Sequence, residues 1–249
     1  MSALGWIVLA SVAGGTLSAG AAAVALLLRT AWIPTLVSFA IGALLGAAFL
    51  EVIPHAFEHG DAHTAAASIL GGILCFFLLE KLLLWRHSHD EHEAEHGHGR
   101  SGTLIVVGDT IHNFLDGALI AAAFLQSTQL GIITALAIVA HEIPQEVGDF
   151  VILLDSGYSR ARAFWLNFLS SGATLVGGVL GYYALQVLAN WMPVLLGIVA
   201  ASMIYVAVAD LIPGLHRRPE LRATLSQTVL IALGIGSIAL ARVLIGAVH

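Results

Sequence analysis

The sequence predicts an all-α membrane protein in which eight transmembrane helices pack as one polytopic bundle. Three observations carry this expectation. The 249 residues are 58% hydrophobic and only 10% charged, with a mean hydropathy of +0.91, so most of the chain cannot be the half-polar surface of a soluble domain. Apolar runs of 18 or more residues recur from end to end, each long enough to cross about 30 Å of hydrocarbon as a helix. Their periodicity is helical or continuous, with no succession of alternating ten-residue strands such as a membrane barrel shows.

The runs fall at roughly 3 to 28, 34 to 57, 65 to 86, 102 to 127, 130 to 155, 161 to 187, 190 to 212 and 225 to 247. The first lacks a basic leading segment and is too long for a signal peptide, so it counts as a span. The third holds the lone cysteine, Cys75, which excludes an intramolecular disulfide and suits a packing role. Between the third and fourth lies HSHDEHEAEHGHG, with five histidines (His87, His89, His92, His96 and His98) and four acids. Low in complexity and without apolar period, residues 87–100 read as a disordered loop suited to capturing or sensing metal, with a solvated acidic loop as the plainer alternative. GVLG at 178–181 and LGIGS at 233–237 let helices approach closely, within the chain or across a homodimer interface. The other loops are too short for a separate domain, so residues 1–249 form one unit. A net charge of −6 says little by itself, and no nucleic-acid partner is expected.

The placement of the basic residues is more informative. Arg29 follows span 1; Lys81, Arg86 and Arg100 flank the loop after span 3; Arg160 and Arg162 follow span 5; Arg217, Arg218 and Arg222 follow span 7. The loops after spans 2, 4 and 6 have none. By the positive-inside rule the odd loops are cytoplasmic and both termini lie outside, as suits a plasma membrane or a bacterial inner membrane. Only Arg242, near the end of span 8, departs from this, and its long side chain can snorkel outward.

An ionisable residue inside hydrocarbon costs about 2.5 to 3.5 kcal/mol on insertion scales and calls for a reason. Span 4 carries Asp109, His112, Asn113 and Asp116; span 5 carries His141, Glu142, Gln145, Glu146 and Asp149. Each set occupies one stripe of its helix. Counting 1.5 Å per residue from the ends puts His112 and His141 both about 15 Å deep. The short link between the spans makes them antiparallel neighbours, so the stripes can face one another. Imidazole, carboxylate and amide groups at one depth, with no thiolate, suit a divalent transition metal; a polar network without metal is the alternative. Pro144 frees the carbonyl of Ala140 beside His141, as broken helices do at transporter sites.

HEIPQE, residues 141–146, nearly spells a zinc-protease signature, but H-E-x-x-H requires a second imidazole where this chain has Gln145. A weak neutral ligand is tolerable where a metal must leave again. HNFLDG at 112–117 with HEIPQEVGDF at 141–150 resembles the paired signature of the ZIP (Zrt/Irt-like) divalent metal transporters, in the branch reading HNFxDG and HEIPHELGDF. GALLGAAFLEVIPHAFEHG in span 2 and IYVAVADLIPGL in span 7 are similar to that branch as well. The resemblance implies import of zinc, or of iron, manganese or cadmium, as transported substrate and not as cofactor, through a binuclear site. His112, Asp116, His141 and Gln145 would line one metal position; Asn113, Asp116, Glu142 and Asn167 the second. Gln145, Ala47, Glu51 and Gly214 depart from the family pattern, standing where it has His, Asp, His and Glu.

Spans 2 and 7 each place an acid three residues before a proline, Glu51 before Pro54 and Asp210 before Pro213, and run in opposite directions. That is the pattern of an inverted repeat, spans 1–3 against 6–8 around the central pair. On this reading Glu51, His55, Glu58 and His59 recruit metal outside and Asp210 assists release. Two rival classes remain open on the residues alone: an intramembrane metalloprotease-like hydrolase using Glu142 as base, and a membrane protein in which His and Asp relay protons without metal.

Overall fold

A computed structural model describes residues 1–25, 33–58, 61–90, 98–187, 191–216 and 220–246. Among them, eight helices are long and apolar enough to cross a membrane. Helix α1 is Ala3–Ala25. Helix α2 runs from Ile33–Ala47 through a π-helical turn, Ala48–Val52, into Ile53–Glu58. Helices α3 to α6 are Ala62–Asp90, His98–Gln126, Thr128–Asp155 and Arg160–Gln186. Helix α7 is Met192–Tyr205, a π-helical turn Val206–Leu211 and Ile212–Leu215, and α8 is Leu221–Gly246.

The ends of these helices follow from local chemistry. Only Ser127 separates α4 from α5; it is extended and its side chain accepts from the Leu130 N–H at 3.1 Å, so one residue closes one helix and caps the next. After α5 the Tyr158 N–H reaches the Leu153 carbonyl and the Gly157 N–H that of Leu154, with Gly157 at φ 87°, a left-handed stop that glycine adopts without a Cβ penalty. The two π-helical turns share a setting. Pro54 and Pro213 cannot donate to the preceding turn, and just before each the ladder widens: the N–H of Ile53 bonds to Ala48 and that of Ile212 to Ala207.

Two groups of helices result. Helix α4 packs most extensively on α6, and α1 lies against α5 and α6; α8 packs on α2, and α3 on α7. The groups meet chiefly where α2 lies against α5. Helix α5 is the most enclosed, 67% of its apolar window being buried, against 11% for α3 and for α8. A helix with an ionisable stripe is thus central, while α3 and α8, with mean hydropathies of 1.9 and 2.2, are the least buried. Exchanging α2 with α7 and α3 with α8 maps one pairing onto the other, and carries one π-helical turn onto the other.

Several expectations are corrected. Cys75 is exposed on α3 and packs against nothing in the core, because α3 lies at the periphery. Of the two small-residue patches, Gly178, Gly181 and Gly234 pack within the chain, where a Cβ would meet Ile7, Ala118 and the Phe39 carbonyl, and Gly236 faces open space. Arg242 does not simply snorkel outward; its Nε lies 2.9 Å from Oε1 of Glu51, because a buried carboxylate in a low dielectric draws the available cation. Helix α3 continues through His87 and His89 to Asp90 and α4 begins at His98, so part of the histidine-rich stretch is helical; His92 and His96 lie outside the described residues.

Candidate metal centre

His112 stands midway along α4 and His141 midway along α5. Spacings of four and one residues then place Asp116 one turn above His112 and Glu142 beside His141, on the facing sides of the two helices. The rings of His112 and His141 meet edge to face with centroids 5.4 Å apart and Nε2 atoms 3.1 Å apart. Asp116 Oδ2 is 3.2 Å from His141 Nε2 and 3.7 Å from His112 Nε2, and Glu142 Oε1 is 3.5 Å from both. One ligand atom from each of the four residues lies within 4.8 Å of every other.

These separations identify the shape of the site. Four ligands about 2.0 Å from a tetrahedral zinc stand about 3.3 Å apart along the edges, and the five separations that involve an imidazole nitrogen run from 3.1 to 3.7 Å. Asp116 Oδ2 and Glu142 Oε1 are buried and accept no hydrogen bond among the described residues, so each retains a lone pair directed into the cluster. His141 Nδ1 lies 3.4 Å from the Ala137 carbonyl; as donor to that oxygen it leaves Nε2 unprotonated and facing the site. Asp116, His141 and Glu142 are nearly sealed, whereas the His112 side chain is 24% exposed.

The other sequence candidates occupy the rim. Asn113 is fully engaged: its amide donates to Asp109 Oδ1 at 2.9 Å and its oxygen accepts from Thr174. Gln145 donates to the same Asp109 oxygen at 3.4 Å, leaving its own oxygen available. Asn167 donates to the Glu146 carbonyl at 2.9 Å, and Ser171 bonds the Glu146 carboxylate. The structure gathers His112, Asp116, His141 and Glu142 into one compact set, with Asn113, Gln145 and Asn167 held in a hydrogen-bond network beside it. That network includes Ser170, Ser171 and Thr174, which sequence reasoning passed over; with Asn167 they lie at i, i+3, i+4 and i+7 on α6, a polar stripe legible by period. Of the outer candidates, Glu51 is buried, His55 is partly buried and Glu58 is exposed; His59 and the side chain of Asp210 lie outside the described residues.

Eight apolar helices, with two histidines and two carboxylates converging between two of them, define a polytopic membrane protein with a cluster that could hold a metal ion. The ZIP Zinc transporter family model matches residues 1–104 and 86–242. Zinc transporter ZIP13 of Homo sapiens is 31% identical over 265 aligned residues, covering 82% of this chain and 70% of that protein. Zinc transporter ZIP13 of Pongo abelii is 34% identical over 232, covering 82% and 66%, and zinc transporter YKE4 of Saccharomyces cerevisiae 31% over 206, covering 72% and 60%. The chain belongs to the ZIP zinc transporter family. It spans 56% to 66% of the length of three of the relatives it matches.

Proposed function

We propose that the chain carries divalent transition metal, zinc first and iron, manganese or cadmium as further substrates, across a plasma or bacterial inner membrane into the cytosol. The observation that carries this reading is the convergence of two imidazoles and two carboxylates halfway along two neighbouring spans. A dication held by two neutral imidazoles and two carboxylates makes a site of zero net charge, which removes most of the cost of placing an ion in hydrocarbon. Amide groups at the rim, Gln145 and Asn113 among them, form the polar steps on either side, and Asn167 fixes α6 against α5. The two helix groups, meeting along α2 and α5, supply the bodies that can shift relative to one another in alternating access. Both termini lie outside, and the histidine-rich segment after α3 lies in the cytosol, where it takes up released metal.

A hydrolase requires Glu142 to stand apart from the metal and activate water. Here its Oε1 is one of the four converging atoms, so no enzymatic role is proposed.

The purified chain in liposomes loaded with a zinc-responsive dye should give saturable zinc uptake, reduced competitively by cadmium, iron or manganese and unaffected by calcium or magnesium. Failure to take up any divalent transition metal sinks the proposal. Replacing His87, His89, His92, His96 and His98 together with serine should leave the initial uptake rate within about twofold of wild type, since surface substitutions away from a site rarely cost more than about 0.5 kcal/mol.

A further inference from the structure

The Arg242 side chain, 53% exposed, reaches from α8 to the Glu51 carboxylate, 1% exposed, on the π-helical turn of α2. Neither carboxylate oxygen of Glu51 accepts a hydrogen bond among the described residues. The guanidinium is therefore held at 2.9 Å by charge and not by the paired, directed contacts of an arginine–carboxylate fork. The second oxygen, Oε2, lies 3.8 Å from Nδ1 of His55, one turn further along α2; the closer contact of that nitrogen is the Glu51 main-chain carbonyl at 3.0 Å, so Nε2 is the nitrogen that would meet a metal. A carboxylate and an imidazole one turn apart are half of a transition-metal site, and the cation present there belongs to the chain itself.

We propose that Glu51 and His55 form a first cation site ahead of the central cluster, and that Arg242 occupies it as an internal competitor which an arriving divalent metal must displace. The proposal rests on the transport reading above and on the orientation that places the end of α2 outside. Its logic is electrostatic. A carboxylate enclosed in a low dielectric is costly without a cation, so Glu51 needs one between ions, and Arg242 supplies a single charge. A dication brings two charges and takes the imidazole as a second ligand; a monovalent ion brings neither advantage, so exchange selects for divalent metal. Arg242 is suited to leaving because its flexible stem sits four residues before Gly246, about 6 Å from the end of the helix. The turn that bears Glu51 also contacts α5, α7 and α8, so releasing Arg242 loosens α8 from the helix that lies against the central site.

The test is zinc uptake by the full chain in liposomes. Arg242→Gln should lower the KM for zinc at least about fivefold, the lower end of typical coupling between competing ligands. Millimolar guanidinium chloride should raise the KM of that variant back toward wild type and leave wild type unaffected. Exchanging the charges, Glu51→Arg with Arg242→Glu, restores an ion pair but moves the carboxylate away from His55, and should raise KM above wild type. If Arg242 is merely a staple between helices, Arg242→Gln leaves KM unchanged or raises it, guanidinium does nothing, and the exchanged pair behaves as wild type; each result overturns the proposal. Should Arg242→Gln fail to fold, Arg242→Lys, with its more strongly hydrated point charge, should shift KM in the same direction, and an unchanged KM rejects the exchange. Wild type taking up no divalent metal sinks the transport reading itself; wild type transporting while these KM values stay fixed sinks this inference alone.

Discussion

Alanine in place of His141 is expected to abolish zinc uptake while leaving a folded protein. His141 is buried in the cluster, 3.1 Å from His112 Nε2 and 3.2 Å from Asp116 Oδ2, so its removal takes a ligand and the neighbour of two others. Zinc sites of four ligands bind with about 10 kcal/mol or more, which is about 2 to 3 kcal/mol per ligand and close to 100-fold in affinity for the first one lost. Asp116→Asn should lose as much for a different reason: the volume is kept, but the site holding zinc carries a net positive charge in hydrocarbon. Because both residues act on one ion, the double variant His141→Ala with Asp116→Asn should transport no worse than either single variant. Calorimetric zinc titration of the purified variants, with uptake in liposomes, checks this. Residual uptake above a tenth of wild type in His141→Ala places the conducting site elsewhere.

The parts of this arrangement that could be read beforehand are those governed by short-range periodicity. The eight spans follow from hydropathy, and their predicted ends lie within a few residues of the observed helices. The stripes on α4 and α5 follow from 3.6-residue spacing, and the single-residue link at Ser127 makes them face. What could not be read is which atoms on those stripes meet. Asn113 stands next to His112 in sequence, yet one residue turns it about 100° toward α6, where Thr174 takes its oxygen. Glu142, adjacent to His141, remains in the cluster, its Oε1 3.5 Å from both imidazoles. Pairings between spans far apart in sequence leave no local trace: nothing near Glu51 announces Arg242, and nothing near Tyr205 announces the hydrogen bond it gives to Glu80 across α7 and α3. The prolines 54 and 213 were visible, but the widening of the ladder before them depends on how the surrounding helices hold each turn.

Gly177→Ala should disrupt the metal centre without touching a ligand, and Gly172→Ala, on the same helix, should not. A Cβ on Gly177 would overlap the Phe114 carbonyl oxygen, and one on Gly117 the Thr174 carbonyl, so α4 and α6 cross with their backbones in contact. A flexible side chain could rotate away from an intruding methyl; a carbonyl held in a helical ladder cannot, so the helices must separate. Overpacking of this kind costs about 1 to 3 kcal/mol where side chains yield, and more where backbone must move. Phe114 lies between His112 and Asp116, so the displacement passes directly to two of the four ligands, and a shift of a few tenths of an ångström is enough to spoil a tetrahedron of 2.0 to 2.1 Å bonds. Gly172 is exposed with nothing within 4 Å of its Cβ position, and there the added methyl only restricts the unfolded chain and should stabilise the helix by up to about 1 kcal/mol. The same chemical change, five residues apart, should thus lower the melting temperature and the zinc affinity in one variant and raise the melting temperature at unchanged affinity in the other. Thermal unfolding in detergent with and without zinc distinguishes them, and equal behaviour of the two variants would mean that the α4 and α6 crossing does not position the ligands.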